Sequence, residues 1–343
     1  MKAARLHKLK EKLSIDLVEV PPIRTGEVLV DVKAAGICHS DIHYRNGVSS
    51  VRKMPIILGH EIAGVVAEVG DQAAGIKEGD RVNVHYVISC GDCFFCRIGK
   101  ENLCEKYQMI GKDVDGGMAE YITVPARNVL RLPDAIPFEQ GAIMGCAVST
   151  AYHALKRGRV SSGDIVVIRG IGGLGIQAVQ LAAKIFGAGA VIAVDVLDEK
   201  LALAKRLGAD HVVNFARGDP WKKIGEITSG RFADVVLDFV GFRKTIEKGI
   251  DCVGKGGRMV LVGVGSEDIC ISFYKTIIGK EMELIGVNDH LKSELAQLVE
   301  LVDSGKIDLS STVTHRVQLE DVNYGMEILE KKIGNPVRVV VVK

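Results

Sequence analysis

The sequence lacks any apolar run long enough to cross a bilayer. Runs such as Ala190–Val194 and Val339–Val342 fall far short of the ~20 residues that a membrane-spanning helix needs. The first residues, Met1–His7, also lack the apolar stretch of a secretory signal. We therefore expect a cytoplasmic protein that has no membrane partner.

The sequence also lacks an excess of charge of either sign. Its 44 Lys and Arg residues nearly balance 43 Asp and Glu residues, and no block of basic residues occurs. These features argue against a surface dedicated to nucleic acid. Internal repeats and low-complexity segments are absent as well, which is typical of an ordinary globular protein. With 343 residues, the chain exceeds what one hydrophobic core usually supports, so two domains are expected.

The chain divides into regions of different hydrophobic pattern, and the expected fold class is α/β. Residues 1–148 contain short β-like runs separated by glycine and proline, which favours a β-rich, partly barrel-like domain. Residues 149–287 alternate apolar strands with helical stretches, which is typical of a doubly wound parallel-sheet Rossmann domain. The expected strands of this second region are Ile165–Arg169, Ala190–Asp195, His211–Asn214, Ala233–Val240, Arg258–Val264 and Glu281–Val287, and its expected helices include Leu174–Phe186 and Asp198–Leu207.

Residues 288–343 follow the second region. They contain one helical stretch, Leu291–Ser304, and a β-like ending, Val337–Val342. We expect this final strand to return to the first domain. The first domain is then discontinuous and comprises residues 1–148 and 288–343, while residues 149–287 form the dinucleotide-binding domain.

A glycine-rich turn stands at the start of the second region. Gly170, Gly172 and Gly175 follow an expected strand and open an expected helix, and Asp195 ends the next strand. In such a turn the glycines allow a pyrophosphate to approach the backbone, and the helix N-terminus supplies N–H donors. The Asp195 carboxylate would bind the ribose 2′-OH of the cofactor, which favours NAD over NADP. Lys200 is close enough in sequence to reach the same ribose. The alternative is a glycine-rich turn that binds no ligand.

Four of the eight cysteines lie close together in the first domain: Cys90, Cys93, Cys96 and Cys104. Disulfides are disfavoured in a chain without a secretory signal, and the gap before the fourth cysteine is longer than in bacterial iron–sulfur runs. Neighbouring charges of both signs disfavour a zinc ribbon that binds nucleic acid. The best interpretation is a structural zinc ion that has four thiolate ligands and no open position.

A second set of potential metal ligands is dispersed through the first domain. Cys38, His60 and Cys146 offer two thiolates and one imidazole, which leave one of zinc's positions vacant for water or an alcohol. Glu61 is a candidate transient fourth ligand or a neighbour of the ligands, and Asp41 is a candidate acceptor for the distal N–H of His60. A single histidine or buried cysteine is more often inert, so the prediction depends on the whole set. We expect about two Zn2+ per chain, one catalytic and one structural.

These motifs together resemble the zinc-containing medium-chain alcohol dehydrogenases. One departure is Ala73, where that family usually has valine, and it affects no ligand. The short segment from Cys104 to Tyr121 resembles the tetrameric microbial type, so a homotetramer is implied, with a dimer as the alternative. The resemblance covers nearly the whole chain and is carried by Gly36–His43, Gly59–Gly70, the four clustered cysteines, Gly145–Thr150 and the glycine-rich turn.

The resemblance implies a function and roles for individual residues. The implied reaction transfers a hydride between a primary or secondary alcohol and NAD, giving an aldehyde or a ketone. The dispersed ligand set would hold the catalytic zinc. Ser40 would take the substrate proton, and His43 would pass that proton to solvent. His39 and Arg338 would lie near the pyrophosphate of the cofactor, and Tyr86 would lie near the substrate pocket.

Two other functions remain open. A polyol or threonine-type dehydrogenase would use the same scaffold, although related branches often have a carboxylate as third ligand where this chain has Cys146. A non-catalytic protein that binds zinc and dinucleotide is the alternative of a different class. The presence of Ser40 and His43 beside a complete ligand set argues against it, because a sensor needs neither an open metal position nor a proton path.

Overall fold

A computed structural model describes all residues from 1 to 343. The chain forms two compact units: the first comprises Met1–Ser149 and Asp289–Lys343, and the second comprises Thr150–Asn288. None of the helices combines the length and the apolar character that crossing a membrane requires.

The strands fall into three groups along the chain. The first group is β1 (Lys2–Leu6), β2 (Ser14–Leu17), β3 (Glu27–Ile37), β4 (Ile56–Ile57), β5 (Glu61–Val69), β6 (Arg81–Val84), β7 (Val87–Ile88), β8 (Gln108–Met109), β9 (Tyr121–Pro125) and β10 (Val129–Arg131). The second group is β11 (Ile165–Arg169), β12 (Ala190–Asp195), β13 (His211–Asn214), β14 (Ala233–Asp238), β15 (Val253–Leu261) and β16 (Glu283–Gly286). The last two strands are β17 (Val313–Val317) and β18 (Arg338–Val342).

The helices occur in both units. They are α1 (His39–Asn46), α2 (Phe94–Arg97), α3 (Phe138–Ile143), α4 (Ser149–Arg157), α5 (Gly175–Lys184), α6 (Asp198–Leu207), α7 (Pro220–Ile227), α8 (Arg243–Asp251), α9 (Lys292–Asp303) and α10 (Val322–Lys331). Two π-helical segments, Met144–Val148 and Phe273–Ile278, add to these.

The largest sheet of the first unit has the strand order β10-β6-β5-β3-β18-β17, in which β9 also pairs with β3, and two small sheets, β2-β1-β4 and β7-β8, accompany it. Strand β18 runs antiparallel to β3, with Val339 opposite Ile37 and Val342 opposite Ala34. The last strand of the chain therefore joins the sheet that contains β3, a strand from the first 40 residues. Valine dominates β18 because β-branched side chains suit a buried, pleated surface. The expected β-rich architecture of this region is confirmed.

The second unit contains a parallel sheet with the strand order β13-β12-β11-β14-β15-β16. Residues such as Val166, Val167 and Ile168 are fully buried, as the near-continuous apolar strands of a sheet covered on both faces require. The strand order reverses between β11 and β14, and ligands of such sheets bind outside the carboxyl ends of the strands at this point. The expected doubly wound sheet is confirmed.

Several expectations about secondary structure are wrong in detail. Strand β14 ends at Asp238 rather than Val240, β16 is shorter than the expected Glu281–Val287, and α5 is shorter than the expected Leu174–Phe186. The strand expected at Arg258–Val264 is β15, which begins at Val253 and ends at Leu261. The segment after β16 contains a second helix, α10, where the sequence predicted only one. Gly325 weakens the helical signal of α10, yet a Cβ at this position would lie 2.6 Å from Ile37 Cδ1. Close packing on β3 thus outweighs the low helix propensity of glycine.

Candidate active site

Three separate elements bring Cys38, His60, Glu61 and Cys146 together, and we call this group the open cluster. Cys38 lies between β3 and α1, His60 and Glu61 stand at the start of β5, and Cys146 lies in the π-helical segment after α3. Strands β3 and β5 are paired, with Gly36 opposite Glu61. The four potential ligand atoms lie within 4.8 Å of one another, and all four residues are buried. Pairing of β3 with β5 therefore sets the spacing of the cluster.

Asp41 connects the two loops that carry Cys38 and His60. Its Oδ2 accepts a hydrogen bond from the Cys38 backbone N–H at 2.8 Å, and its Oδ1 accepts one from the Gly59 N–H at 3.1 Å. The same Oδ1 lies 3.7 Å from His60 Nδ1, which is too long for a hydrogen bond but close enough for electrostatic attraction. Asp41 thus fixes the backbone beside the imidazole that it was expected to orient.

The donor set of the open cluster fits zinc. Both ring nitrogens of His60 are buried without a hydrogen-bond partner, which costs about 1–3 kcal/mol per group unless a cation or another partner satisfies them. The hydrogen bond with Cys146 and the nearby imidazole hold the pKa of the Cys38 thiol well below its usual range, and the same hydrogen bond together with burial raises the pKa of Cys146. The lowered pKa favours the thiolate form of Cys38, which is the form that binds metal.

Glu61 is paired with Arg338 beside the ligands. The Arg338 guanidinium donates to Glu61 Oε2, and both side chains are buried. Gly36 makes room for this carboxylate, because a Cβ there would collide with it. Burial raises the pKa of Glu61 to about 7, and Arg338 opposes this shift. Glu61 Oε1 has no hydrogen-bond partner, so it is the oxygen that remains available toward a metal.

Tyr86 covers His60 on another side. Its ring meets the imidazole edge-on, with 5.0 Å between the ring centroids, and its hydroxyl donates to Asp289 Oδ1 at 2.9 Å. Tyr107 donates to the second oxygen of Asp289 at 2.7 Å, and His290 also lies 5.0 Å from the Tyr86 ring. Sequence reasoning missed Tyr107, Asp289 and His290. The only available signal was the polar triplet at residues 288–290, directly after an apolar strand.

Helix α1 begins directly after Cys38 and carries Ser40 and His43. Ser40 Oγ lies 3.7 Å from Cys38 Sγ. Residues three apart lie on one face of a helix, so His43 is one turn further along from Ser40. The rings of His39 and His43 have centroids 6.4 Å apart. A hydroxyl therefore lies beside the open cluster, with the His39 imidazole at the first position of the helix and the His43 imidazole one turn beyond Ser40.

The sulfur atoms of Cys90, Cys93, Cys96 and Cys104 form a second compact group, which we call the closed cluster. The Sγ atoms of Cys93 and Cys96 and of Cys104 and Cys90 are 3.5 Å apart, and two further pairs are 3.9 Å apart. Four thiolates arranged tetrahedrally around zinc at ~2.3 Å have sulfurs about 3.8 Å apart. No cysteine of the chain forms a disulfide. The closed cluster thus has the size of a four-cysteine zinc site.

The glycine-rich turn of the second unit has an open backbone. Gly170 has a φ of 82°, which favours glycine, and a Cβ at Gly175 would collide with the Gly170 carbonyl oxygen. Around Gly172, by contrast, a Cβ would meet nothing within 4 Å. The turn therefore leaves room for a ligand at Gly172, just before the N-terminus of α5, as binding of a pyrophosphate requires.

Asp195 lies at the end of β12, beside the glycine-rich turn. Its Oδ2 accepts from the Ile171 N–H at 2.7 Å, and its Oδ1 accepts from the N–H groups of Val196 and Leu197 at 2.7 and 3.0 Å. These bonds fix the direction of the carboxylate. Both lone pairs of Oδ1 are engaged, and Oδ2 keeps a second lone pair for a ligand. Lys200 is buried in α6.

Comparison with known proteins gives matches along most of the chain. Residues 24–134 match the family described as alcohol dehydrogenase GroES-like domain, and residues 173–304 match the one described as zinc-binding dehydrogenase. An alcohol dehydrogenase of Geobacillus stearothermophilus is 41% identical over 94% of each chain. An NAD-dependent alcohol dehydrogenase of Sulfurisphaera tokodaii is 35% identical over 99% of this chain and 100% of that one. L-threonine 3-dehydrogenases are also among the similar proteins.

The fold has solved counterparts as well. The crystal structure of the alcohol dehydrogenase from the hyperthermophilic archaeon Aeropyrum pernix superposes with a TM-score of 0.92, at 37% identity and with 100% of both chains covered. Similarity at this level extends over both units.

Proposed function

Because the chain belongs to the zinc-containing medium-chain alcohol dehydrogenase family, we propose that it oxidises a primary or secondary alcohol with NAD as the hydride acceptor. The observation that carries the proposal is the open cluster, in which the thiol groups of Cys38 and Cys146 converge with the His60 imidazole, whose two ring nitrogens are buried without hydrogen-bond partners. Three protein ligands leave zinc one position for the substrate, which is the arrangement of catalytic rather than structural zinc sites.

In this proposal each residue near the open cluster has a task. Bound zinc would supply Lewis-acid polarisation that lowers the pKa of the alcohol hydroxyl, and bound NAD would accept the hydride. Cys38, His60 and Cys146 would hold the ion, and the Glu61 carboxylate would stay beside them as a candidate transient ligand. Ser40 accepts the proton of the alcohol hydroxyl and passes its own hydrogen on toward His43, which releases a proton to water.

The glycine-rich turn is the proposed NAD site. Gly170, Gly172 and Gly175 would hold the pyrophosphate at the N-terminus of α5. Asp195 would accept a hydrogen bond from the ribose 2′-OH and repel a 2′-phosphate, with Lys200 near the same ribose. His39 and Arg338 are proposed to contribute positive charge for the pyrophosphate. The Arg338 guanidinium also neutralises Glu61.

The closed cluster is proposed to hold a second zinc ion that has a structural role. Sulfur separations of 3.5–3.9 Å match a filled tetrahedron. With four protein ligands the ion would have no position for a substrate. About two Zn2+ per chain follow from the two clusters.

We also propose that the protein is a homotetramer that works in the cytoplasm. The π-helical segment of the second unit supports self-association, because Phe273, Tyr274 and Ile278 are 67%, 72% and 52% exposed and exposed apolar groups of this kind mark interaction surfaces. The cytoplasmic location is supported by the thiolate ligands proposed for both clusters, which suit a reducing compartment. Sedimentation equilibrium gives the number of subunits, and a monomer at micromolar concentration would contradict the proposal.

A threonine-type or polyol dehydrogenase is the second candidate, because L-threonine 3-dehydrogenases resemble the chain. The orientation of Tyr86 favours simple alcohols. Its ring rather than its hydroxyl faces the open cluster, since the hydroxyl is bonded to Asp289. A ring face offers no hydrogen-bond partner for the additional hydroxyl groups of a polyol.

A substrate panel tests the proposal. Primary alcohols, secondary alcohols, polyols and L-threonine are each assayed with NAD and with NADP, and kcat/KM is compared. We expect simple alcohols with NAD to exceed the other combinations by about tenfold or more. A preference for threonine or a polyol would favour the second candidate, and absence of all oxidation with either cofactor would contradict dehydrogenase activity.

A further inference from the structure

A buried ion pair occupies the point where the strand order of the second unit reverses. Arg169 is the last residue of β11 and Asp238 is the last of β14, and the two stand opposite each other in the parallel ladder. Arg169 Nη1 lies 3.3 Å from Asp238 Oδ2, and the side chains are 2% and 0% exposed. Gly170, the first residue of the glycine-rich turn, follows Arg169 directly. Neither charged residue has a role in the chemistry described above.

Asp238 organises the turn that follows β14. Its Oδ1 accepts hydrogen bonds from the N–H groups of Val240 and Gly241 at 3.0 and 2.8 Å. This turn packs directly on the glycine-rich turn, since a Cβ at Gly170 would lie 2.7 Å from Val240 Cγ2. In addition, the Phe239 N–H donates to the Arg169 carbonyl oxygen at 3.0 Å. A change in the turn at residues 239–241 would therefore shift the glycine-rich turn through these direct contacts.

Arg169, the partner of Asp238 in the ion pair, is itself anchored by two helices. Its guanidinium donates to the Thr245 carbonyl oxygen in α8 and lies 5.0 Å from the ring centroid of Trp221 in α7. Gly249 of α8 leaves the space for it, because a Cβ at that position would collide with the guanidinium. The side chain thus ties α7 and α8 to the carboxylate that holds the turn. Such anchoring leaves the guanidinium little freedom to move.

Stability alone does not explain this pair. Replacing a buried ion pair by apolar residues of similar volume is often neutral or stabilising, because desolvation of two charges offsets their attraction. The Arg169–Asp238 pair lies where the strand order reverses, between the glycine-rich turn and the turn after β14. Ligands bind at this place in such sheets, so a role in ligand binding is another explanation for the pair.

We propose that Arg169 and Asp238 are positioning residues for the dinucleotide. They hold residues 239–241 against the glycine-rich turn and thereby set the affinity of the protein for NAD(H). The inference rests on the proposed NAD-dependent function. Neither side chain needs to touch the cofactor. Their effect should therefore appear in cofactor binding and not in the chemical step.

The test uses the full-length, zinc-loaded protein. Arg169→Met, Asp238→Asn and the double variant are compared with wild type in the Kd for NADH, measured by calorimetry, and in KM for NAD and kcat. Loss of a buried partner should raise Kd and KM by roughly tenfold or more, while kcat at saturating NAD stays within about twofold. Arg169→Lys keeps the charge but not the fork of donors, so an intermediate loss of affinity is expected.

The double variant separates positioning from charge compensation. It removes both charges but keeps an amide oxygen that accepts from the turn. If Arg169 only neutralised Asp238, NADH affinity would return to the wild-type value, and that result would overturn the inference. We expect affinity to remain reduced by about fivefold or more, because the anchoring by the guanidinium is still missing.

A matched control exists at the other end of β11. Asp164, which precedes this strand, pairs with Arg258 of β15 at 3.2 Å, with 16% and 15% exposure. Arg258→Met removes a similar pair far from the glycine-rich turn and should leave NADH affinity unchanged. If wild type itself failed to bind NADH, the proposed function would be wrong. If wild type and all Arg169 and Asp238 variants bound NADH equally, only the inference would be wrong.

Discussion

The two cysteine clusters of the first unit differ in how the chain assembles them. The closed cluster takes all its sulfurs from one short segment, Cys90–Cys104, and three of its four cysteines are only half-buried. The open cluster collects its members from residues 38, 60, 61 and 146, and every one of them is buried. The first can form from local structure alone. The second depends on the pairing of β3 with β5 and is complete only when the whole unit is folded.

Their chemical surroundings differ as well. The closed cluster is bounded mainly by backbone N–H groups, such as those of Cys93 and Lys106, which donate to sulfur at 3.4 and 3.3 Å. The open cluster has an acidic side chain, Glu61, neutralised by Arg338, and an aromatic wall formed by Tyr86. A site that only holds an ion needs four protein ligands and no open position. A site that changes its fourth ligand needs charge compensation and a defined wall, and the open cluster has both.

The largest expected effect comes from the open cluster. His60→Ala removes one of three protein ligands, so kcat should fall by about a thousandfold or more, and one zinc per chain should be lost. The fold should persist, because the paired strands and the closed cluster remain. Alcohol oxidation, zinc content and circular dichroism are measured on the same sample. Wild-type kcat in this variant would place the chemistry elsewhere.

An intermediate effect is expected from the closed cluster. Cys104→Ser should lower the melting temperature by about 10 °C, since metal binding to such sites contributes folding free energy. Below that temperature kcat should stay within about twofold of wild type, because a filled zinc site performs no Lewis-acid chemistry. Calorimetry and steady-state assays give the two numbers. Loss of activity without loss of stability would reverse the roles of the clusters.

The smallest effect, a change of stability with pH, is expected from His85, a buried histidine next to Tyr86. His85 stacks beside Tyr86, and burial lowers the pKa of His85 to about 4. The unfolded chain, with a pKa of about 6.5, therefore takes up a proton before the folded chain does as the pH falls. This contribution to stability is present above about pH 6.5 and is lost toward pH 4, by about 2 kcal/mol between pH 7 and pH 5.

Denaturant unfolding at several pH values measures this loss. His85→Asn should remove that part of the pH dependence, whereas His211→Asn, at an exposed position, should leave it unchanged. An identical pH profile for His85→Asn and wild type would mean that His85 is not held neutral by burial.

Much of the second unit and the whole closed cluster could be predicted from the sequence, because their signals are local. Strands β11, β12 and β13 and helix α6 have the expected bounds, since apolar runs and turn residues mark their ends. The four cysteines occur within one short segment, so their spacing alone indicated a common ion. Local pattern was sufficient wherever neighbours in space are also neighbours in sequence.

The surroundings of the open cluster could not be predicted in the same way. Glu61 and Arg338 are 277 residues apart, and Tyr86 and Asp289 are 203 apart. No periodic pattern in the sequence indicates such contacts. The first exists because β18 pairs with β3, and the second exists because the segment after β16 belongs to the first unit. For the same reason the pairing of Arg338 with Glu61 was not anticipated, although both residues had been selected as candidates.

Zinc analysis during chelation tests the difference between the two clusters most directly. Native protein is treated with a chelator, and zinc per chain and alcohol oxidation are followed together over time. We predict about two zinc ions per chain at the start. The ion that leaves first should belong to the open cluster, and activity should fall in proportion to its loss while the second ion remains. A single zinc per chain, or full activity after the first ion has left, would contradict the assignment of catalysis to Cys38, His60 and Cys146.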